Sequence, residues 1–246
     1  MQANDGMSKV PAVTLGFWVI KIIATTLGET GGDAVSMTLN WGYALSSTMF
    51  IGVFAAAVAA QIAATRFHPL LYWVVIVATT TAGTTMADFA DRSLGVGYRG
   101  GSLILLACLI TSLGVWYRQA GSISVNTVAS PRIEMFYSTA ILFSQTLGTA
   151  LGDWIADTNG LGYERGALVV VAAAYFFTSI SRTLLFWSAF ILTRPLGATV
   201  GDFLDKPKAD GGLAVGRFDA SAVLVALIVA LIVFVPQRAA PHPSRG

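Results

Sequence analysis

Charge is scarce in this chain. Asp, Glu, Lys and Arg together make up 11% of its 246 residues, whereas an ordinary soluble domain is about a quarter charged. So few charges cannot clothe a soluble surface. With 55% hydrophobic residues and a mean hydropathy of +0.69, lipid must supply much of the solvent. The net charge of +2 is too small to suggest a nucleic-acid partner. The single cysteine, Cys108 in "LLACLI", excludes an internal disulfide and a thiolate metal cluster, and reads as apolar filler. The two histidines, His68 and His242, make a poor haem pair or zinc site. No GxxxxGK[ST] is present to hold ATP, and no GxGxxG with a following acid to hold a dinucleotide. HExxH, GxSxG and any nucleophile–base cluster are also absent, so neither enzyme activity nor a bound cofactor is expected. The N-terminus "MQANDGMSKVPAV" lacks the basic start and short apolar core of a signal peptide, so the first apolar segment is expected to stay as a membrane helix.

What the chain has is long apolar runs. A membrane helix needs about 20 mostly apolar residues. Eight stretches qualify, at about 11–32, 42–64, 69–88, 100–118, 134–153, 163–181, 184–202 and 218–236. They are too continuous for the alternation of a membrane β-barrel. The longest gap, "QAGSISVNTVASPRI" at 119–133, is polar and reads as a hinge between two four-helix halves of one membrane domain covering 1–246. An even number of spans puts both termini on one side. Basic residues are almost evenly divided between the two sides, but Lys9 precedes the first span and the loop 34–41 has no basic residue. Both termini are therefore expected in the cytoplasm.

The chain also repeats itself. "GETGGD" (28–33), "GTTMAD" (83–88), "GTALGD" (148–153) and "GATVGD" (197–202) each begin with Gly, carry Gly or Ala four residues later and end in Asp. Gly42-Tyr43, Gly97-Tyr98 and Gly162-Tyr163 each follow their aspartate by nine residues. Gly216-Arg217 follows Asp202 by fourteen, as though "KPKAD" were inserted. Each repeat is thus one helix ending in the Asp motif, a short loop, and a second helix opening near Gly-Tyr. The repeats cover about 12–64, 69–118, 134–181 and 184–236. With two spans each they all run the same way, which predicts an all-α polytopic membrane protein of four parallel two-helix repeats, with pseudo-symmetry about the membrane normal. The small-xxx-small pairs suit close helix packing, so the four motif-bearing spans are expected to meet at the axis.

Those four spans carry a polar stripe. Four residues before each aspartate lie Glu29, Thr84, Thr149 and Ala198. Seven before lie Thr26, Thr81, Thr146 and Pro195, and eight before lie Thr25, Thr80, Gln145 and Arg194. These offsets share one helix face. An ionisable group facing lipid costs several kcal/mol, so such residues face protein or water and raise a functional hypothesis. Carboxylates, hydroxyls and an amide suit hard or borderline cations. Neighbouring carboxylates cannot all ionise cheaply, which would let the site exchange protons for a cation. On this reading Glu29, Asp33, Asp88, Asp153 and Asp202 ligate the ion or move protons, and Thr84, Thr149 and Gln145 are neutral ligands. Lys21 and Arg194 tune or gate the site: Arg194 could occupy an acidic position in place of the cation, and Pro195 could break its helix and free carbonyls.

Plainer readings stand beside these. Each aspartate could simply end its helix in an interfacial turn. Each Thr could bond back to its own helix. Lys21 could neutralise Glu29 two turns away. Tyr43, Tyr98, Tyr163, Trp41, Trp73, Trp116 and Trp154 lie near span ends, as a membrane-anchoring aromatic belt would.

Through the four motifs the chain, over about 12–236, resembles a group of bacterial membrane proteins built from four tandem two-helix repeats, often with a tryptophan. The resemblance implies the fold and an inner-membrane location, and assigns no functional residue. Together these readings predict a transporter or exporter of a cation, with a divalent metal such as manganese as the leading candidate, coupled to protons. The rivals are a passive cation channel and a non-transporting membrane scaffold. The expected partners are the bilayer and the small cation. A homo-oligomer stays open, since no residue pattern counts subunits.

Overall fold

The computed structural model describes residues 8–93, 95–125, 128, 130–154 and 182–240. These form seven α-helices: α1 (Leu15–Asp33), α2 (Gly42–Ala63), α3 (Pro69–Asp88), α4 (Gly97–Ala120), α5 (Pro131–Asp153), α6 (Arg182–Asp205) and α7 (Arg217–Phe234). The expected sixth span, 163–181, with Gly162-Tyr163, lies outside the described residues. The expected seventh and eighth spans are therefore α6 and α7. Apart from an antiparallel bridge between Pro11 and Ala239, the described residues pair no strands.

Local signals fix the helix starts. The Thr14 hydroxyl accepts from the Phe17 amide at 3.3 Å to open α1, and Ser130 accepts from Ile133 at 3.5 Å to open α5. Pro69 and Pro131 stand in the first turns of α3 and α5, where the missing N–H is harmless. The Gly-Tyr anchors do start α2 and α4. Gly42 and Gly97 have φ of +73° and +70°, which admits glycine and little else.

The motif-bearing helices form a closed ring, α1–α3–α5–α6, in which each packs on its two neighbours and α6 returns to α1. The other helices lie outside it. Over its membrane-length window α3 is 72% buried, against 28% for α2, 22% for α4 and 17% for α7. An outer helix hardly touches its own repeat's inner helix. Instead α2 packs on α3, α4 on α5 and α7 on α1, so each described outer helix leans on the next repeat around the ring. The glycines repeat the same lock. A Cβ on Gly28 would collide with Thr80, on Gly148 with Arg194 and on Gly197 with Thr25, and on Gly83 it would press on Gln145 and Thr146. In each case a glycine five residues before its aspartate meets the position eight before the next aspartate. The last repeat closes on the first, which makes the inner helices parallel and pseudo-fourfold.

Four described helices, α2, α3 with its extension to Ser93, α4 and α7, are long and apolar enough to cross a membrane. The inner helices α1, α5 and α6 are not, because charged side chains such as Lys21, Glu29, Glu134 and Arg194 interrupt them. They are the helices that the ring shields.

Several expectations are corrected here. The α-helices of the first three repeats end at their aspartates, but the chain stays helical beyond them. Asp33 has helical dihedrals, and both Asp33 and Asp88 lead into a π-helical turn, Ala34–Thr38 and Phe89–Ser93. α6 runs past Asp202 to Asp205. Pro195 does not break α6, which is continuous across it. Its missing N–H leaves the Ile191 carbonyl free, and that oxygen lies over Gly148. The expected hinge, 119–133, is taken up in part by helix. α4 takes up its start and α5 its end, while Val125 and Val128 are buried between them. The Ser8 hydroxyl donates to the Val125 carbonyl at 2.9 Å, and the Lys9 amide donates to Val128.

The aromatic belt is corrected in part. Trp41 is exposed, but Trp73 and Trp116 are fully buried. They join an aromatic core at the end of the ring opposite the aspartates. Phe17, Tyr72, Tyr137 and Phe186, each sixteen residues before its aspartate, form one tier across the axis. The Tyr72 and Tyr137 hydroxyls share a hydrogen bond of 2.9 Å. The first and last described segments meet on this side. Ala12 and Ala240 donate to the carbonyls of Arg238 and Val10, and Trp73 Nε1 donates to Gln237.

Candidate functional site

Above the aromatic tier the axis turns polar, one helical turn at a time. The threonines seven residues before the first three aspartates are spent locally. Thr26, Thr81 and Thr146 donate to the carbonyls of Ile22, Val77 and Leu142 at 2.9–3.0 Å. The plain reading is the right one for them. The threonines eight before the aspartate also reach across the ring. Thr25 donates to the Thr193 carbonyl at 3.1 Å and Thr80 to the Ala24 carbonyl at 3.2 Å, two equivalent bonds between successive inner helices. Thr149 donates to its own helix at Gln145, 3.2 Å away.

Arg194 is the centre of the next tier and is fully buried. One Nη donates to the Thr25 carbonyl at 3.0 Å, and the other to Glu29 Oε2 at 2.7 Å and to the Thr84 hydroxyl. Thr84 donates in turn towards Glu29 at 3.3 Å. The last repeat thereby neutralises the first across the ring seam. The expected pairing of Lys21 with Glu29 does not form: Lys21 lies two turns below, with Nζ 4.1 Å from the centre of the Phe190 ring.

At the top of the ring Glu29, Asp33 and Asp202 bring carboxylate oxygens within 4.8 Å of one another. Asp33 and Glu29 are buried, and Asp202 keeps a side-chain exposure of 13%. Asp88 and Asp153 are buried too, but neither belongs to that group. The five acids expected to share a site are therefore divided. Glu29 comes from α1 at the Arg194 tier, Asp33 and Asp202 complete the cluster above it, and Asp88 has its own partner.

Basic side chains rim this end. Arg92 Nε lies 3.1 Å from Asp88, Lys206 lies 3.3 Å from Asp202, and Arg217 lies 3.7 Å from Asp33 and 2.6 Å from Asp205. In the sequence Arg92, Lys206 and Arg217 look like ordinary loop charges. Two of them stand four residues after their aspartate, a spacing that already pairs side chains on a helix. Arg217 is subtler. It holds the place that Tyr43 holds in the first repeat, and both face the next repeat's aspartate. Arg217 reaches Asp33, while the Tyr43 hydroxyl accepts from Arg92, which holds Asp88.

The ring and its graded axis define a repeat-built helical membrane protein with an acidic end and an aromatic end. Four stretches of the chain, 16–67, 71–122, 136–180 and 185–236, match the family described as Repeat of Unknown Function (DUF347), and the chain belongs to that family. No curated protein and no solved structure matches it.

Proposed function

We propose that the protein is a secondary transporter of a small cation, with a divalent metal such as manganese the leading candidate, in exchange for protons. One observation carries this reading: three carboxylates from two inner helices converge within 4.8 Å on the axis of a helix ring. Oxygen donors of that density suit a hard or borderline dication. Glu29, Asp33 and Asp202 are the ligands in this reading, and Thr84 is the neutral donor beside them. Asp88 and Asp153 carry protons at the rim. Arg194 holds Glu29 while the cation is absent, and the incoming ion displaces the guanidinium. The aromatic tier blocks the axis at the far end, which favours alternating access over a passive channel. The non-transporting scaffold reading draws support from the glycine locks alone.

The cell location follows the same reading. The protein sits in a bacterial inner membrane with both termini in the cytoplasm, which puts the aromatic end inward and the carboxylates outward.

Equilibrium binding of Mn²⁺ to the detergent-solubilised protein tests the site. A single class of site, lost in Asp33→Asn/Asp202→Asn, supports the reading. Unchanged binding in that variant, or none in the folded wild type, overturns it.

A further inference from the structure

Below the carboxylates the ring holds polar atoms that the protein leaves unsatisfied. Lys21 is fully buried, and among the described residues its Nζ makes no hydrogen bond. Gln145 is fully buried, and neither Oε1 nor Nε2 has a partner among the described residues. Arg194 commits both terminal nitrogens upward, but its Nε has none. Register places the three within about one helical turn of one another along the axis. Gln145 and Arg194 both stand eight residues before their aspartates, and Lys21 stands one turn lower, about 6 Å along the axis. Lys21 leans across the ring towards α6, as its place over Phe190 on that helix shows.

Among the described residues, the carboxylates of the acidic end are engaged or stand well above Lys21. Glu29 is held by Arg194, Asp33 by Arg217, Asp88 by Arg92 and Asp202 by Lys206. Asp153 stands on α5 eight residues above Gln145, about 12 Å along the axis. A buried ammonium with neither counter-charge nor hydrogen bond is costly, and so is a buried amide with both ends empty. The ring keeps these groups from the bilayer. An anion that accepts several N–H bonds would offset both costs.

We propose that this tier is an anion site, in which Lys21, Gln145 Nε2 and Arg194 Nε hold a small monovalent anion, a halide or a carboxylate. It lies deeper than the Glu29–Asp33–Asp202 cluster and does not depend on that cluster binding a metal. The ligand is either a free anion or the carboxylate end of an organic solute. Its charge balances Lys21, so the inner ring is neutral when the site is filled.

The test is thermal unfolding of the purified full chain in detergent with EDTA present, in sodium gluconate exchanged stepwise for bromide, chloride or formate at constant ionic strength. The melting temperature is expected to rise and saturate with bromide or with formate. A rise with halide alone assigns a free halide. A rise with formate as well admits the carboxylate of a solute. In Gln145→Leu the half-saturating concentration is expected to increase about tenfold, the loss of one charge-assisted contact, and in Lys21→Met the response should vanish. Should Lys21→Met not fold, ⁸¹Br line broadening on the wild type, reversed by formate and absent in Gln145→Leu, reads the same site. Identical melting in every salt, or an equal response in wild type and Gln145→Leu, overturns the proposal. Because metal is chelated throughout, this result is independent of whether the acidic cluster binds Mn²⁺.

Discussion

Arg194 and Glu29 stand 165 residues apart in the chain and 2.7 Å apart in the ring. The first and last repeats meet at this contact, so the pair closes the circle as well as neutralising itself. Removing one partner leaves the other charge buried, which costs about 3–5 kcal/mol. Glu29→Gln is therefore expected to unfold at markedly lower temperature than wild type. Glu29→Gln/Arg194→Gln should recover most of that loss, since no lone charge remains. A double-mutant cycle on melting temperature reads the coupling directly.

The glycine locks predict a sharp contrast by position. Gly28 and Gly197 have no room for a side chain, because Thr80 and Thr25 from the neighbouring inner helices occupy it. Gly52 on α2 and Gly114 on α4 have open space. Gly28→Val and Gly197→Val should abolish monodisperse protein in size-exclusion chromatography. Gly52→Val and Gly114→Val should leave the elution profile unchanged.

The Tyr72–Tyr137 bond predicts an asymmetry. Tyr72→Phe leaves the Tyr137 hydroxyl buried without its partner, a loss of about 1–3 kcal/mol. Tyr72→Phe/Tyr137→Phe removes both hydroxyls and should be closer to wild type than either single change. Denaturation in detergent ranks the three variants.

The aromatic tier also makes a functional prediction. Phe17→Ala/Phe186→Ala opens the end of the axis that these rings close. Proteoliposomes with this variant should leak K⁺ down its gradient, while the wild type stays tight. Equal tightness would mean that the tier is packing and not a barrier.

Much of this was legible before any coordinates. The four Gly-to-Asp motifs share a register, and register alone predicts parallel inner helices packed through small residues. The Gly-Tyr starts of α2 and α4 were legible for the same reason, since a helix opening at positive φ demands glycine. The seam was not legible. Arg194 and Lys21 look alike as intrusions into apolar runs, and only closure of the ring decides which of them reaches Glu29. Uniform spans were also expected, yet α1, α5 and α6 are too polar to pass as membrane helices on hydropathy. Their charged residues are tolerated because neighbouring helices shield them. The aromatic tier was visible in principle. Trp18, Trp73 and Trp187 each stand fifteen residues before their aspartate, beside Phe17, Tyr72 and Phe186. Proximity to the span ends suggested a belt, but Trp73 and Trp187 sit on the buried sides of inner helices.

The central claim is that the carboxylate cluster carries a cation against protons. Its most direct measurement is ion flux into proteoliposomes across Mn²⁺, Zn²⁺, Mg²⁺, Na⁺ and K⁺, with a pH dye inside. The account predicts uptake of one of these ions with opposite proton movement, both abolished in Asp33→Asn/Asp202→Asn while that variant still folds. Flux without proton movement, or full coupled flux in the variant, would contradict it.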